Sequence, residues 1–370
     1  MILVSEPVVG KKELENILDC LETGWISSAG KYIDEFERSW SSYCGMKHGI
    51  AVSNGTAALE IAVSCLQLEK DSEIILPTFT IISCAQAITK QGLVPVLVDC
   101  EEDTGCMDIS KIEEKITKKT KAIMCVHMYG HPVDMDPLLE LAKKHDLKII
   151  EDAAEVHGAE YKKKKCGSFG DISIFSFYAN KLITTGEGGM VLTNNDEFAK
   201  RAKSLRNLCF QSDRRFKHAE IGFNYRMTNM QAAIGVAQID RLEEIVERKR
   251  SIAKRYSESL SNIKSIRLPV EKDYAKNVYW IYGIVLNKDA NEDPESLALK
   301  LRNAGIETRP YWWNIHEQPV YLNQGLFKNE SYPTAEFLAS RGLYIPSGLN
   351  LTKEDQDKVI DEIQGIFGKS

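Results

Sequence analysis

Over its first two thirds the chain alternates short apolar runs with stretches of helical periodicity. Residues 48–52, 74–77, 94–99, 122–127 and 147–152 read as strands. Helical spacing marks 11–22, a second segment carrying Ile33, Phe36 and Trp40, and then 55–63, 80–90, 108–118 and 137–145. Strands separated by helices predict a parallel sheet with helices packed on its faces. The run 171–181 is apolar on both faces through Ile172, Ile174, Phe175 and Phe177, which predicts an inner strand. A strand at 190–193, a basic helix at 197–206 and a polar, irregular stretch at 207–220 follow. A long helix is predicted over 229–260, with small apolar residues early and charged ones later. Beyond it come a strand at 278–286, a helix at 294–304, a strand or loop at 305–310 and a helix at 352–367. The expected division is a large α/β domain over 1–245 and a smaller C-terminal α+β domain over 246–370.

Composition narrows the function classes. A net charge of −6 over 370 residues argues against nonspecific nucleic-acid or anionic-membrane binding. No apolar run approaches the ~18 residues of a membrane span, and the start of the chain lacks the basic and small-residue signals of a secretory leader. Nine cysteines occur singly, with no CxxC pair, so neither a disulfide framework nor a metal site is expected. A reducing cytoplasm fits this usage.

Three features carry candidate chemistry. Lys181 closes the 171–181 run, before the loop Thr184-Thr185-Gly186-Glu187-Gly188-Gly189. Open α/β sheets bind ligands at the carboxyl ends of their strands, and a lysine desolvated there becomes a nucleophile toward carbonyls. Asp152 closes the strand at 147–152, where a buried carboxylate either caps the next turn or holds a cation. Ser53-Asn54-Gly55-Thr56-Ala57 links a strand to a helix, placing Gly55 and Thr56 where unpaired N–H groups suit a phosphate, or where Ser53 or Asn54 simply caps the helix. Trp25, in Gly24-Trp25-Ile26-Ser27-Ser28, is either a packing anchor or a site wall. Together, a Schiff-base lysine, a carboxylate for a ring nitrogen and an anion site describe a pocket for pyridoxal 5'-phosphate.

The chain resembles the DegT/DnrJ/EryC1 sugar aminotransferases. The likeness rests on Ser53-Asn54-Gly55-Thr56-Ala57-Ala58-Leu59, Glu151-Asp152-Ala153-Ala154-Glu155, Ser176-Phe177-Tyr178-Ala179-Asn180-Lys181, Thr185-Gly186-Glu187-Gly188-Gly189, Asn224-Tyr225-Arg226-Met227-Thr228-Asn229 and Glu307-Thr308-Arg309-Pro310. It implies a fold-type-I transferase with a mainly parallel seven-stranded sheet. It also implies that Lys181 binds the cofactor and shuttles the proton, Asp152 pairs with the ring nitrogen, and Glu155 sits near the ring hydroxyl. Gly55, Thr56 and Ser176 would hold the phosphate, and Asn224 would reach the phosphate of a neighbouring subunit, making a homodimer with shared sites. Trp25, Ser27, Arg309 and His316 are implied on the substrate side. Within the family the chain is most similar to the perosamine-forming members. These use L-glutamate to aminate C4 of GDP-4-keto-6-deoxy-D-mannose; the same reaction on a UDP- or dTDP-linked 4-keto-6-deoxyglucose, an aminotransferase acting at C3 and a non-catalytic binding protein are the alternatives. A lysine at 181 favours amino transfer over the dehydration performed by relatives with histidine there. One departure stands out: Ile81 occupies a position where relatives stack an aromatic residue on the cofactor, so either Ile81 or Phe79 is expected to pack the ring.

Overall fold

A computed structural model describes residues 1–211, 214 and 216–368. Its centre is a seven-stranded sheet of β1 (His48–Val52), β2 (Glu73–Pro77), β3 (Val94–Val98), β4 (Thr120–Val126), β5 (Lys148–Asp152), β6 (Ile172–Ser176) and β7 (Gly189–Thr193). The spatial order is β1-β7-β6-β5-β4-β2-β3. All neighbours are parallel except β7, which runs antiparallel to both β1 and β6. The double-sided apolar pattern of β6 has a direct cause. Ile172 and Ile174 enter the core on one face, while Phe175 and the following Phe177 enter the core on the other. There Trp40 meets Phe175 and Phe177 edge-on, at 4.8 and 5.3 Å between ring centres.

The faces are covered by α1 (Lys11–Thr23), α2 (Lys31–Tyr43) and helix Asn229–Ile239 on one side, and by α3 (Gly55–Cys65) and α4 (Ile82–Thr89) on the other. A second, four-stranded antiparallel sheet uses Ile266–Arg267, Tyr282–Leu286, Gly342–Ile345 and Arg309–Pro310. Its own core joins Tyr256, Ile284, Leu297, Leu301 and Ile363. The first residues cross onto this smaller unit: Ile2 N–H donates to Gly305 O (2.7 Å) and Ser347 N–H to Val4 O (3.0 Å). We propose 1–245 and 246–370 as the two units, with this N-terminal strap tying them together.

Four expectations change in detail. The helix over 229–260 is two helices, Asn229–Ile239 and Leu242–Leu260, divided where Arg241 leaves helical geometry; Leu242, Ile245 and Val246 stay in the large-sheet core, and the second helix enters the smaller core from Ile252 onward. Residues 108–118 form two single 3₁₀ turns, Ile109–Lys111 and Glu113–Lys115. The strand predicted over 171–181 stops at Ser176, and the one over 278–286 starts only at Tyr282, after Tyr279 takes a positive φ of 48°. Within the irregular stretch 207–220, residues 212, 213 and 215 lie outside the described residues.

Lys249 sits inside the smaller unit with no carboxylate partner among the described residues. It is buried on helix Leu242–Leu260 and donates to Ser347 O (2.5 Å) and Ser347 Oγ (3.2 Å). Burial pushes its amine down from 10.5 to about 7. Between those values the unfolded chain holds a proton that the folded chain lacks, so this group makes stability rise with pH from 7 toward 10.5. Lys249→Met should flatten that rise, read as urea midpoints of both proteins across this pH range; parallel curves would refute it.

Candidate active site

The carboxyl ends of β5 and β6 open into a cavity of about 620 Å³. Gly55, Thr56, Ile81, Asp152, Glu155, Ser176, Lys181, Trp280, Trp312 and Tyr344 are among its lining residues. The loop after β6 is fixed by backbone bonds from Phe177 N–H to Gly188 O (2.8 Å), Thr185 N–H to Phe177 O (2.9 Å) and Lys181 N–H to Tyr178 O (2.9 Å). From the smaller unit, Trp280 Nε1–H donates to Asn180 O at 2.8 Å. The Lys181 amine then lies 3.6 Å from the centre of the Trp280 ring.

Lys181 is almost wholly enclosed, and this desolvation lowers its basicity; the carboxylates of Glu155 and Asp152 oppose the shift. Its Nζ stands 3.7 Å from Glu155 Oε1. The other Glu155 oxygen accepts from Tyr129 N–H at 2.7 Å, while Oε1 is buried without a hydrogen-bond partner. Burial raises this carboxyl to about 8, against the pull of Lys181. A buried acceptor left free toward a cavity is costly unless a ligand completes it.

Asp152 both caps and faces the cavity. Its Oδ1 accepts from Ala154 N–H (3.0 Å) and its Oδ2 from the Cys84 thiol (3.2 Å). Burial raises its pKa, and the Ala154 N–H and Cys84 contacts moderate the rise. Its neighbour Glu151 points to the opposite face of β5. There Glu151 accepts from His127 Nε2, Ser173 Oγ and the backbone N–H groups of Gly167, Phe169 and Gly170. His127, Glu151 and Cys166 lie close enough together to resemble a metal cluster, but the Glu151 oxygens and both His127 nitrogens already have protein partners.

The anion cradle is built by close approach. Asn54 caps α3 by accepting from Ala57 N–H at 2.8 Å, so the cap and the open turn coexist. Gly55 sits against Ser176, where an added Cβ would come within 2.7 Å of Ser176 Cβ. Thr56 Oγ1 and Ser83 Oγ lie 2.9 Å apart at the same rim. The helix dipole and free N–H groups face this point. The residues present therefore fit pyridoxal phosphate: a small-residue cradle for its phosphate, Asp152 for its ring nitrogen and an unsatisfied Glu155 oxygen beside the amine.

Of the two candidates for packing the ring, Ile81 lines the cavity, whereas Phe79 is buried against Tyr129 and Tyr311 at 5.9 Å each. Trp25 and Ser27 lie outside the cavity of their own chain, on a loop whose carbonyls accept from Asn229 Nδ2 (2.8 Å) and Asn229 N–H (2.6 Å). Arg309 is exposed and pairs with Glu307 at 2.5 Å. Asn224 is also exposed, its Oδ1 held by Arg226 Nη2 at 2.7 Å. His316 does not line the cavity: it is buried, with Nδ1 2.7 Å from Thr78 Oγ1 and Nε2 3.2 Å from Glu336. Both ring nitrogens are thus already engaged by protein groups. Trp280, Trp312, Tyr344 and Cys84 were missed as site residues in the sequence. Trp312 stands in an aromatic stretch with Trp313 and Tyr321 that does not by itself point to a site, and no local pattern marks Trp280 or Cys84.

A desolvated lysine, a buried carboxylate at a strand end and a helix-terminal anion cradle on this sheet define a pyridoxal-phosphate-dependent transferase. The model of the DegT/DnrJ/EryC1/StrS aminotransferase family matches residues 7–364, and the chain belongs to that family. It is 41% identical to the GDP-perosamine synthase of Caulobacter vibrioides over 367 residues, covering 99% of this chain and 98% of the relative. Identity to the GDP-perosamine synthase of Escherichia coli O157:H7 is also 41%, over 99% and 98% of the two chains. Among solved structures, S. venezuelae DesV in complex with a ketimine intermediate superposes with a TM-score of 0.89 at 32% identity, over 96% of this chain and 94% of that one.

Gly55→Ala should weaken cofactor affinity by about tenfold or more, because the new methyl meets Ser176 where the phosphate must enter. Spectroscopic titration of the purified variant with pyridoxal phosphate checks this, and unchanged affinity would place the phosphate elsewhere.

Proposed function

We propose that this protein transfers the amino group of L-glutamate to C4 of GDP-4-keto-6-deoxy-D-mannose, giving GDP-perosamine. The observation that carries the reading is the Lys181 amine, held nearly free of solvent between Glu155 and Trp280, in a chain that aligns end to end with perosamine synthases. When bound, pyridoxal phosphate supplies an aldehyde that carries the amino group and a ring that withdraws electrons. The protein's part is binding, orientation and proton movement. The Gly55 and Thr56 backbone with Ser176 binds the phosphate, and Asp152 keeps the ring nitrogen protonated. Glu155 meets the ring hydroxyl, and Ile81 packs the ring. Lys181, its basicity lowered by burial, would move the proton between the cofactor carbon and sugar C4. Net, the donor's amine and the sugar's ketone oxygen change places. Trp25, Ser27 and Arg309 act on the substrate side from outside the cavity floor. His316 supports that side through Thr78.

The active unit in this reading is a homodimer with shared sites. Leu14, Leu18 and Leu21 form an exposed apolar stripe on α1 that runs on to exposed Trp25 and Ile26, and Asn224 stands free of its own cavity. Among the described residues no helix is long and apolar enough to cross a membrane, and we place the enzyme in the cytoplasm.

Assay against GDP-, UDP- and dTDP-linked 4-keto-6-deoxy sugars with L-glutamate, read by product mass, should show the GDP sugar preferred by about 100-fold or more in kcat/KM. Preference for another nucleotide would overturn the substrate assignment. Lys181→Ala should cost at least about 10³ in kcat while the chain still binds cofactor noncovalently; undiminished turnover would remove Lys181 from the chemistry. The double change Leu14→Glu, Leu18→Glu should shift the light-scattering mass from dimer to monomer and reduce turnover with it. A dimer unaffected by these charges would rule out α1 as the contact.

A further inference from the structure

Beneath the cavity floor, three buried groups form a short relay. Thr80 follows β2, Cys84 lies one turn inside α4, and Asp152 ends β5; all three are buried. Thr80 Oγ1 is 3.5 Å from Cys84 Sγ, and Cys84 Sγ donates to Asp152 Oδ2 at 3.2 Å. All nine cysteines are free and buried. Cys20, Cys65, Cys106 and Cys125 direct their thiols at backbone carbonyls. Cys84 is the one whose thiol bonds a carboxylate among the described residues, and that carboxylate is the one facing the cofactor cavity.

We propose that Cys84 is a positioning residue for amino transfer: its thiol, backed by Thr80, fixes the orientation of Asp152 and tempers the charge that Asp152 presents to the cofactor. The inference rests on reading Asp152 as the partner of the ring nitrogen. Two donors divide the carboxylate between them, Ala154 N–H on Oδ1 and the thiol on Oδ2. The remaining lone pairs are left for the cavity. A thiol is a weak donor, so it stabilises the carboxylate less than a hydroxyl would and leaves it more basic. Lys181, His127 and Glu155 are ionisable groups acting on Asp152, and Glu155 also acts on Cys84. Removing the thiol takes away a positive dipole end beneath the cofactor. A cationic proton site on the cofactor–lysine linkage then becomes easier to protonate, and its pKa rises.

The test uses the cofactor-loaded protein with Cys84→Ala, Cys84→Ser and Thr80→Val. The visible absorbance of each is titrated with pH, and cofactor affinity and steady-state kinetics are measured. Cys84→Ala should raise the spectroscopic pKa by about half a unit, weaken cofactor binding about fivefold and lower kcat more than it changes KM. Cys84→Ser should return the pKa to the wild-type value or below it, because the hydroxyl is the stronger donor. Thr80→Val should move it part of the way toward Cys84→Ala. Should Cys84→Ala fail to fold, the opposed shifts of Cys84→Ser and Thr80→Val decide. Wild-type titration curves in the variants that fold, with only the melting temperature changed, would reduce Cys84 to a packing residue and overturn the proposal. Asp152→Asn separates the two levels: if it leaves affinity and titration untouched, the reading of Asp152 fails, whatever Cys84 does.

Discussion

Enclosing a lysine amine away from water is the constraint around which this molecule is arranged. A protonated amine resists burial, and two neighbouring carboxylates pull it back toward the charged form. The balance among them depends on distances that only a rigid frame can hold. That frame is the carboxyl edge of β5 and β6, whose neighbours on either side anchor both strands. The loop carrying Lys181 is tied at each end to Phe177 and Gly188, and from above by the Trp280 indole. Glu155 shares the burden. One of its oxygens is spent on Tyr129 N–H, and the other is kept for the cavity.

Strand β5 shows how one sequence step separates structure from chemistry. Glu151 and Asp152 are adjacent and both buried, yet alternation sends them to opposite faces. Glu151 collects donors from the 167–170 turn, from Ser173 and from His127, and so fastens the approach to β6. Asp152 keeps fewer partners and faces the cavity. The smaller unit is equally involved, because it supplies Trp280, Trp312 and Tyr344 to the wall. Closing the site therefore depends on how the two cores meet, and the N-terminal strap crosses that junction.

Much of this was readable from local pattern. Apolar runs bounded by polar turns located the strands of the large sheet, and Asp152, Gly55 and Lys181 each sat at a predicted strand end or helix start. Other features were hidden for physical reasons. Trp280 reaches the lysine loop across 100 residues of sequence, a contact made by tertiary packing alone. The break at Arg241 carries no glycine or proline, so no local signal in the sequence marks it. Phe79 and Ile81 are two positions apart, and sequence could not say which one turned inward; the aromatic pocket of Tyr129 and Tyr311 takes the phenylalanine and leaves the isoleucine at the cavity. His316 was implied on the substrate side by resemblance, but Thr78 and Glu336 occupy its ring.

The central claim is that one buried amine, and no other, carries the cofactor. Borohydride reduction of the loaded protein, followed by proteolysis and mass mapping of the cofactor-bearing peptide, tests it directly. The cofactor mass should be found on Lys181 alone. A label on a different lysine, or a loaded protein that releases its cofactor unreduced, would contradict the account.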